Sequence, residues 1–303
     1  MSKYLVTGGA GFIGTNIIKQ LLAKGDEVVV LDNYSGGRFS DRVQPNVKYV
    51  EGDIRNMKDI NSVMAGVDGV FHLAAMARMP YSIENPQETN EGNIDGTLNV
   101  LVSARDSGVK RLVYSASSSA YGEQPADLLV ETMKPAPISP YGLQKYVGEE
   151  YCRLFYELYK FNTVSLRYFN IFGPHMDPSG AYALVIAKFF KQLKEGKPMT
   201  ICGDGEYLRD YTHVYDIARA NILAMESEKV GHGEVMNIGN GTSYSVNDVA
   251  KIIGGDFVYI DSRHGDPRST RADNTLVKEL LGWLPTISLE DGIKELKKEF
   301  KIE

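Results

Sequence analysis

Residues 6–14 read VTGGAGFIG, and this stretch decides the fold of the first part of the chain. An apolar run precedes it and a helical pattern follows it, so its glycines lie in a turn between a strand and a helix. Their spacing fits GxxGxxG through Gly8, Gly11 and Gly14, and GxGxxG when Gly9 is taken first. Such a turn lets the backbone approach a pyrophosphate, and the helix N-terminus adds free N–H groups and a partial positive charge. The stretch therefore predicts a dinucleotide site.

Asp32 indicates which dinucleotide binds. It lies 18 residues after Gly14, at the end of an apolar run, where a carboxylate can accept hydrogen bonds from the adenosine ribose diol. The same charge repels a 2′-phosphate, so we expect NAD rather than NADP. Arg38 is the one residue that favours NADP, unless it is only a solvated loop residue. The cofactor set predicted so far is Gly8, Gly11, Phe12, Ile13, Gly14, Asp32, Asn33, Asp53, Ile54, Leu73, Ala74 and Ala75.

Short apolar runs alternate with helical patterns over the first two thirds of the chain, which indicates a parallel sheet covered on both faces. The predicted strands are 4–7, 27–31, 47–50, 69–73, 111–115 and 163–167, and the predicted helices are 12–24, 56–65, 87–107 and 140–159. We therefore expect an α/β fold with a Rossmann-type doubly wound parallel sheet. Its NAD-binding domain would span 1–170, with some later segments returning to it, and a smaller α/β substrate lobe would span 171–303.

Composition and charge exclude several classes of protein. Hydrophobic residues make up 43% of the chain, with no run of the roughly 18 apolar residues that a membrane helix needs. The start MSKYLVTGG enters a strand at once and leaves no room for a signal peptide. Two cysteines, Cys152 and Cys202, allow neither a disulfide framework nor a metal cluster and favour the cytoplasm. The net charge of −6 argues against nucleic acid, although local arginines could still bind a small anion.

Tyr141 and Lys145 form a YxxxK pair, and a second such pair begins at Tyr156. Serine and proline at 139–140 predict a helix start just before the first pair, whereas Tyr156 falls in an aromatic stripe and is expected to be structural. Residues four apart share a helix face, so Lys145 lies beside Tyr141. Lowering the tyrosine pKa from about 10 by about three units needs about 4 kcal/mol, which an ammonium and a positive nicotinamide ring can supply. Tyr141 could then remove a hydroxyl proton as a hydride leaves the carbon, and return it later.

Two further features lie at the predicted strand ends. Residues 114–122 read YSASSSAYG, and their hydroxyls would emerge at the carboxyl edge of the sheet, where ligands bind in such folds. A serine there could bond the oxygen being oxidised, although serine runs also occur in plain loops. His72 closes the fourth strand, and we expect a packed core residue rather than a catalytic one.

TGGAGFIG, Asp32, HLAA, SASSSAYG, SPYGLQK and RYFNIFGP follow one another between about residues 3 and 275, with HGDPR at 264–268. As an ordered set they closely resemble the extended short-chain dehydrogenase/reductase family, and within it the NAD-dependent nucleotide-sugar 4-epimerases acting on UDP-glucose or UDP-N-acetylglucosamine. The resemblance implies a seven-stranded Rossmann core, a small C-terminal lobe and tightly held NAD. It also implies a UDP-sugar substrate and a reaction through a transient 4-keto sugar.

The resemblance assigns roles to individual residues. Ser117 takes the catalytic Ser/Thr position, Tyr141 the base and Lys145 its partner, and the cofactor set gains Tyr141, Lys145 and Tyr168. The substrate set that it implies is Ser117, Ser118, Tyr141, Asn170, Arg209, Arg263, Asp266 and Thr270, to which Arg268 could add. Ala77 departs from the pattern, because many galactose-type epimerases place a lysine there. The uracil-contacting position falls near Cys202, which is too ordinary a residue to identify the base.

Other activities stay open as alternatives: UDP-glucuronate epimerisation or decarboxylation, 4,6-dehydration, and NAD sensing without catalysis. Dehydratases of this family carry an acidic pair after the catalytic Ser/Thr, and decarboxylases often a glutamate, where this chain has Ser118 and Ser119. Uronate epimerases tend to lack the asparagine kept here as Asn170. A sensor would be expected to have lost Tyr141 or Lys145. Epimerisation at C4 therefore fits best.

The resemblance also bears on the sugar and on assembly. Thr270 takes the place of a bulky tyrosine that blocks the 2-N-acetyl group in galactose-only epimerases, and 177–189 is similar to the form in bacterial UDP-N-acetylglucosamine 4-epimerases. We expect conversion of UDP-GlcNAc to UDP-GalNAc, with UDP-glucose and UDP-galactose also accepted, unless the backbone closes the pocket. The helix at 140–159 is apolar over more than one face, so we expect a homodimer through the helices at 87–107 and 140–159.

Overall fold

The chain forms a seven-stranded parallel sheet covered by helices on both faces, with smaller sheets beyond its carboxyl edge. The computed structural model describes residues 1–177, 184–261 and 269–302. The strands are β1 (Lys3–Thr7), β2 (Glu27–Asp32), β3 (Lys48–Glu51), β4 (Gly69–His72), β5 (Arg111–Ser117), β6 (Leu128–Leu129), β7 (Asn162–Tyr168), β8 (Asn170–Phe172), β9 (Met199–Cys202), β10 (Leu208–His213), β11 (His232–Ile238), β12 (Ser243–Ser245), β13 (Phe257–Ile260) and β14 (Arg271–Ala272). The helices are α1 (Phe12–Ala23), α2 (Met57–Val63), α3 (Met79–Glu84), α4 (Pro86–Asn90), α5 (Gly96–Asp106), α6 (Pro140–Tyr159), α7 (Val185–Lys194), α8 (Val214–Glu226), α9 (Val246–Ile253), α10 (Thr275–Leu281) and α11 (Leu289–Phe300).

The large sheet has the order β11-β7-β5-β4-β1-β2-β3, and all its pairs are parallel. Successive side chains of one strand enter opposite core layers: Leu5 packs in the layer with α2, α5 and α6, and Val6 in the layer with α1 and α8. Both are fully buried, as expected for strands whose sequence lacks polar alternation. The predicted doubly wound α/β fold is therefore confirmed.

The six predicted strands match β1–β5 and β7 to within two residues at either end. The seventh strand, β11, comes from the C-terminal third of the chain and pairs with β7, and α8 packs against α1. The predicted helix at 87–107 contains a π-helical segment, Glu91–Asp95, between α4 and α5. A π segment turns side chains that a regular helix would leave elsewhere, and such segments are frequent near functional sites.

The remaining elements pack beyond the carboxyl ends of the large sheet. They form a three-stranded sheet, β12-β10-β8, and two strand pairs, β13-β9 and β14-β6. A separate core joins β8, β9 and β10 to α7, α9 and α11, with Phe172, Phe189 and Phe190 among its fully buried side chains. The β14-β6 pair belongs to a smaller cluster with Tyr121 and Phe169. This arrangement brings β8, β9 and β10 next to the edge where β5 and β7 end.

Helix α6 begins where the sequence predicts. The Ser139 side chain accepts a hydrogen bond of 3.1 Å from the Gly142 backbone N–H, and Pro140 occupies the first helical position. The helix ends at Lys160, which adopts a left-handed conformation with φ of 55°. Tyr141 and Lys145 therefore lie in its first two turns.

Across residues 1–177, 184–261 and 269–302, no helix combines the length and apolar character that a membrane crossing requires. In the same ranges, His, Cys, Asp and Glu side chains form no group of three or more that could hold a metal ion.

Candidate functional site

A cavity of about 850 Å³ lies at the carboxyl ends of β1, β2, β4, β5 and β7. Every predicted site residue within the described ranges lines it. Those residues are Gly8, Gly11, Phe12, Ile13, Gly14, Asp32, Asn33, Asp53, Ile54, Leu73, Ala74, Ala75, Ser117, Ser118, Tyr141, Lys145, Tyr168, Asn170, Arg209 and Thr270. Arg263, Asp266 and Arg268 lie outside the described residues, as do residues 178–183 of the segment 177–189.

The glycine turn is closely packed against its neighbours. Gly8 has φ of +69°, and a Cβ there would lie 2.8 Å from the Ala74 backbone nitrogen. A Cβ on Gly14 would lie 2.6 Å from the Gly8 carbonyl oxygen, so the start of α1 rests directly on the turn. Gly11 is the N-cap of α1 and makes no side-chain cap. Only glycine fits these positions, and the uncapped helix start lines the cavity, which suits the pyrophosphate of NAD.

Asp32 closes the adenosine end of the cavity. Its carboxylate accepts hydrogen bonds from the backbone N–H groups of Ala10 (2.9 Å) and Tyr34 (2.8 Å), which hold it at the end of β2. Burial raises its pKa, and these two hydrogen bonds oppose that rise. Arg38 is bound to Glu51 and lies over the Tyr34 ring, so its charge already has a partner. The arrangement suits a ribose diol better than a 2′-phosphate.

The ends of β3 and β4 form the next part of the wall. Asp53 accepts hydrogen bonds from Arg55 and Asn33, and those from Arg55 are the main reason that its pKa falls to about 2. His72 is fully enclosed, with Nδ1 2.7 Å from Thr7 Oγ1 and Nε2 3.0 Å from Thr97 Oγ1. Burial lowers the His72 pKa to about 3. His72 is therefore a neutral, packed core residue, as expected from the sequence.

Ser117 and Tyr141 meet in the middle of the cavity. Ser117 ends β5 and Tyr141 lies in the first turn of α6, and both side chains line the cavity. Burial raises the pKa of Tyr141, and the neighbouring Ser117 hydroxyl opposes that rise. Within the protein alone the phenol is thus a weaker acid than free tyrosine. The lowering that a base requires must come from positive charge beside it.

Lys145 lies one turn after Tyr141 and is 4% exposed. Its ammonium donates a hydrogen bond of 2.8 Å to the Ser115 carbonyl and lies 4.9 Å from the centre of the Tyr114 ring. Burial lowers the Lys145 pKa to about 8, and the negative charge of Glu149 opposes this fall. The side chain therefore still carries its charge at pH 7.

Tyr168 and Asn170 border the cavity from β7 and β8. The Tyr168 hydroxyl donates to Asn221 Oδ1 at 2.8 Å and lies 3.1 Å from Ser115 Oγ. It is therefore engaged inside the protein, so Tyr168 contributes mainly its ring to the cavity wall. Asn170 Nδ2 is 3.5 Å from the Asp210 carbonyl, which leaves its amide oxygen available to a ligand.

Arg209, from β10, and Thr270, which precedes β14, line the cavity from outside the large sheet. Arg209 Nη1 donates to the Leu208 carbonyl at 2.8 Å. The Thr270 backbone is held on both sides, because its N–H donates to the Leu208 carbonyl (3.2 Å) and its carbonyl accepts from Ser243 Oγ (2.9 Å). Thr270 Oγ1 is buried and has no hydrogen-bond partner within the described part of the chain. Ala77 and Cys202 also line the cavity.

The structure adds residues that sequence reasoning did not single out. Ser119 Oγ donates to Ser117 Oγ at 2.8 Å, and its backbone N–H does so at 3.2 Å. Asn93, in the π-helical segment, accepts from the Met76 N–H (2.8 Å) and donates to Gln144 Oε1 (2.8 Å), which ties the loop after β4 to α6. A serine in a serine run and single amides in a helix leave no periodic signal, so no sequence pattern would have identified them.

Comparison with known proteins gives concordant results. The sequence model of the NAD dependent epimerase/dehydratase family matches residues 4–239. The structure of a UDP-glucose 4-epimerase from Thermotoga maritima with UDP-glucose is 39% identical, with a TM-score of 0.94 and coverage of 99% of this chain and 98% of that one. A UDP-N-acetylglucosamine 4-epimerase from Methanobrevibacter ruminantium M1, in complex with UDP-N-acetylmuramic acid, is 34% identical, with a TM-score of 0.91 and coverage of 98% and 99%. A UDP-glucuronic acid 4-epimerase from Bacillus cereus, in complex with UDP-glucuronic acid and NAD, is 31% identical, with a TM-score of 0.89 and coverage of 99% of both chains.

Proposed function

This chain belongs to the NAD-dependent epimerase/dehydratase family, and we propose that it is a UDP-sugar 4-epimerase. The family resemblance predicted from the sequence is thereby confirmed, and NAD is the cofactor. The observation that carries the proposal is the neighbouring Ser117 and Tyr141 side chains with Lys145 one turn away, in the same cavity as the glycine turn. Ser118 and Ser119 follow Ser117. The two positions after the proposed catalytic serine therefore carry none of the carboxylic acids that the alternative reactions, dehydration and decarboxylation, need.

In this mechanism Tyr141 removes the proton from the sugar 4-hydroxyl and later returns it. Ser117 bonds the same oxygen and holds it against Tyr141, while Ser119 keeps the Ser117 hydroxyl in place. NAD bound at the glycine turn would supply the hydride acceptor and donor for C4 and a positive ring charge. Lys145 adds a second positive charge beside the phenol. Together they have to supply about 4 kcal/mol for a lowering of three pKa units, and more here because burial of Tyr141 acts against them.

Inversion at C4 requires the oxidised sugar to present its other face. A grip confined to the nucleotide diphosphate allows this, since the sugar can then turn about its phosphate linkage. Arg209 lines the same cavity from β10, outside the large sheet that carries Ser117. We assign it to the diphosphate, and we assign Asn170 to the sugar beside Tyr141.

The finer proposal is that both UDP-GlcNAc/UDP-GalNAc and UDP-glucose/UDP-galactose are interconverted. Thr270 lines the cavity with a short side chain, on a backbone held by two hydrogen bonds, so a larger residue there would project into the cavity. Its hydroxyl is buried, and we therefore attribute the selectivity to space rather than to a hydrogen bond with the amide. A roomy pocket rejects the smaller hydroxyl only weakly, which gives the dual specificity.

Steady-state kinetics on both substrate pairs, with Thr270→Tyr beside the wild type, test this proposal. We expect the substitution to abolish turnover of the acetylated pair and to retain the other. Unchanged activity of Thr270→Tyr on UDP-GlcNAc would contradict the role of Thr270. UDP-glucuronate is the third substrate to include, because one of the similar structures holds it, and exclusive turnover of that sugar would replace our assignment.

We propose that the protein is a homodimer through α6 and the helix that runs through α4 and α5. Leu143, Leu158 and Tyr159 on α6 are 50%, 67% and 51% exposed. A partner chain that covered these apolar side chains would remove them from water, which is favourable. Light scattering should give twice the 33.6 kDa of one chain. Leu158→Glu should shift the protein to the monomer, whereas Leu284→Glu, at an exposed apolar position in the loop between α10 and α11, should not. A wild-type monomer at micromolar concentration would refute the proposal.

A further inference from the structure

A buried ion pair lies one turn beyond Lys145 on the catalytic helix. Glu149 of α6 and Arg167 of β7 are 1% and 3% exposed and share three hydrogen bonds of 2.7–3.1 Å. Arg167 also lies 4.5 Å from the centre of the Tyr121 ring, and the Tyr121 hydroxyl donates to Asn237 at 2.7 Å. A buried ion pair is weak evidence for stability, because its desolvation cost can exceed its attraction. We therefore consider a functional role for the Glu149–Arg167 pair.

The position of the pair suggests one. Lys145 and Glu149 are four residues apart on α6, so their side chains leave the same helix face. Arg167 approaches Glu149 from the sheet and fixes the carboxylate, while Lys145 bonds the Ser115 carbonyl and not the carboxylate itself. The negative end of the pair is thus held on the same side of the helix as the Lys145 ammonium.

The other titratable groups around Lys145 carry no charge near pH 7. His72 from β4 is neutral, because burial lowers its pKa to about 3. Burial raises the pKa of Tyr114 from β5, and raises that of Cys152 from α6 to about 12. Tyr141 is the remaining neighbour, and in the proposed mechanism the Lys145 ammonium stabilises its phenolate. Among these described neighbours Glu149 is the charged one.

We propose that Glu149, held by Arg167, keeps the Lys145 ammonium charged in its buried setting and so acts as a positioning residue for the Tyr141 base. Without the carboxylate, nothing would oppose the effect of burial on the pKa of Lys145. The ammonium would then lose its proton closer to neutral pH. The neutral amine could no longer favour the Tyr141 phenolate. Glu149 therefore acts on the reaction through Lys145 and does not touch the substrate.

The experiment compares Glu149→Gln with Glu150→Gln, whose carboxylate is half-exposed and bound to Arg153 on the same helix. The NAD-loaded proteins are labelled with 13C at the lysine ε carbon and titrated by NMR, and the Lys145 signal is assigned from its absence in Lys145→Arg. We expect Glu149→Gln to lower the Lys145 midpoint by about two pH units, the scale of one charge about 6 Å away at an effective dielectric constant near 20. Glu150→Gln should leave it in place.

A second readout is the pH profile of kcat on the UDP-sugar that the wild type converts. Its alkaline limb should move to lower pH by the same amount, because the required ammonium is lost earlier. Should Glu149→Gln fail to fold, Glu149→Leu/Arg167→Met replaces both charges with apolar groups. It should still lower the midpoint, but by less than Glu149→Gln, because the opposing charge of Arg167 is removed as well.

An unmoved Lys145 midpoint in a folded variant would overturn the inference, as would a kcat lowered equally at every pH. The inference rests on the proposed function only for the kinetic readout. Failure of the wild type to epimerise any UDP-sugar would count against that function, while the NMR midpoint would still decide the role of Glu149.

Discussion

Gly14→Ala tests the close packing of α1 against the glycine turn. The added Cβ would lie 2.6 Å from both the Gly8 carbonyl oxygen and the Gly9 Cα, and these are backbone atoms that cannot rotate away. Ordinary contact begins at 3.4 Å, so the helix start would have to move by about 0.8 Å. That movement carries the uncapped N–H groups of α1 away from the pyrophosphate position.

Two opposing terms set the expected stability of Gly14→Ala. Alanine favours a helix over glycine by about 1 kcal/mol at most, whereas overpacking costs about 3 kcal/mol when backbone has to shift. We therefore expect the free energy of unfolding to fall by about 2 kcal/mol. For a chain of this length that corresponds to a fall in melting temperature of about 3 °C.

Urea unfolding and mass spectrometry of the retained dinucleotide measure the two consequences of Gly14→Ala. The control is Gly36→Ala, since Gly36 lines the same cavity but a Cβ there would meet nothing within 4 Å. We expect the control to keep its NAD and its stability, and Gly14→Ala to be purified with little NAD. A Gly14→Ala protein that is as stable as the wild type and fully loaded would refute the steric reasoning.

Three further predictions concern the base, the cofactor and acid stability. Tyr141→Phe should lower turnover by orders of magnitude while NAD stays bound, whereas Tyr156→Phe, in the second YxxxK pair, should leave the rate nearly unchanged; a near-normal rate for Tyr141→Phe would show that the base is misassigned. Because Asp32 lies at the ribose end, mass spectrometry of the released cofactor should find NAD, and recovery of mainly NADP would contradict its role. His72 has a pKa of about 3 when folded and about 6.5 when unfolded, so the unfolded chain binds the extra proton between those values and stability falls as pH drops below about 6.5. Between pH 7.5 and 5.5, His72 should lower the free energy of unfolding measured with urea by about 1 kcal/mol. The His72→Gln protein should not show this decrease, and an equal decrease in the variant would mean that His72 does not cause it.

Sequence reasoning succeeded where chemistry imposes a local pattern. The glycine turn needs particular residues at fixed spacing, and the buried strands need continuous apolar runs. Both could therefore be predicted from the sequence. The start of α6 was predicted because Ser139 and Pro140 act within a single turn. The cofactor followed from the same local logic at Asp32.

Features that depend on distant partners could not be predicted in this way. The π-helical segment depends on Asn93 reaching both Met76 and Gln144, and no spacing in the sequence encodes that. The burial of Tyr141 could not be predicted either, although it raises the pKa of the phenol and so adds to what the neighbouring positive charges must overcome. The residue-level assignments of the site, and the division of the chain at 170, stay predictions.

The origin of the seventh strand has a consequence for how the chain acquires its structure. Strand β7 lies between β5 and β11, and β11 is reached only after residues 169–231 have been made. A nascent chain that ends before β11 presents the β7 edge with unpaired backbone groups, a template on which other chains can add. Closing the sheet also brings β8, α7, β9 and β10 along, because they lie in the intervening sequence. The cofactor and sugar regions should therefore unfold as one cooperative unit. We expect a single urea transition by both fluorescence and far-ultraviolet circular dichroism. Two separated transitions would show that the regions unfold independently.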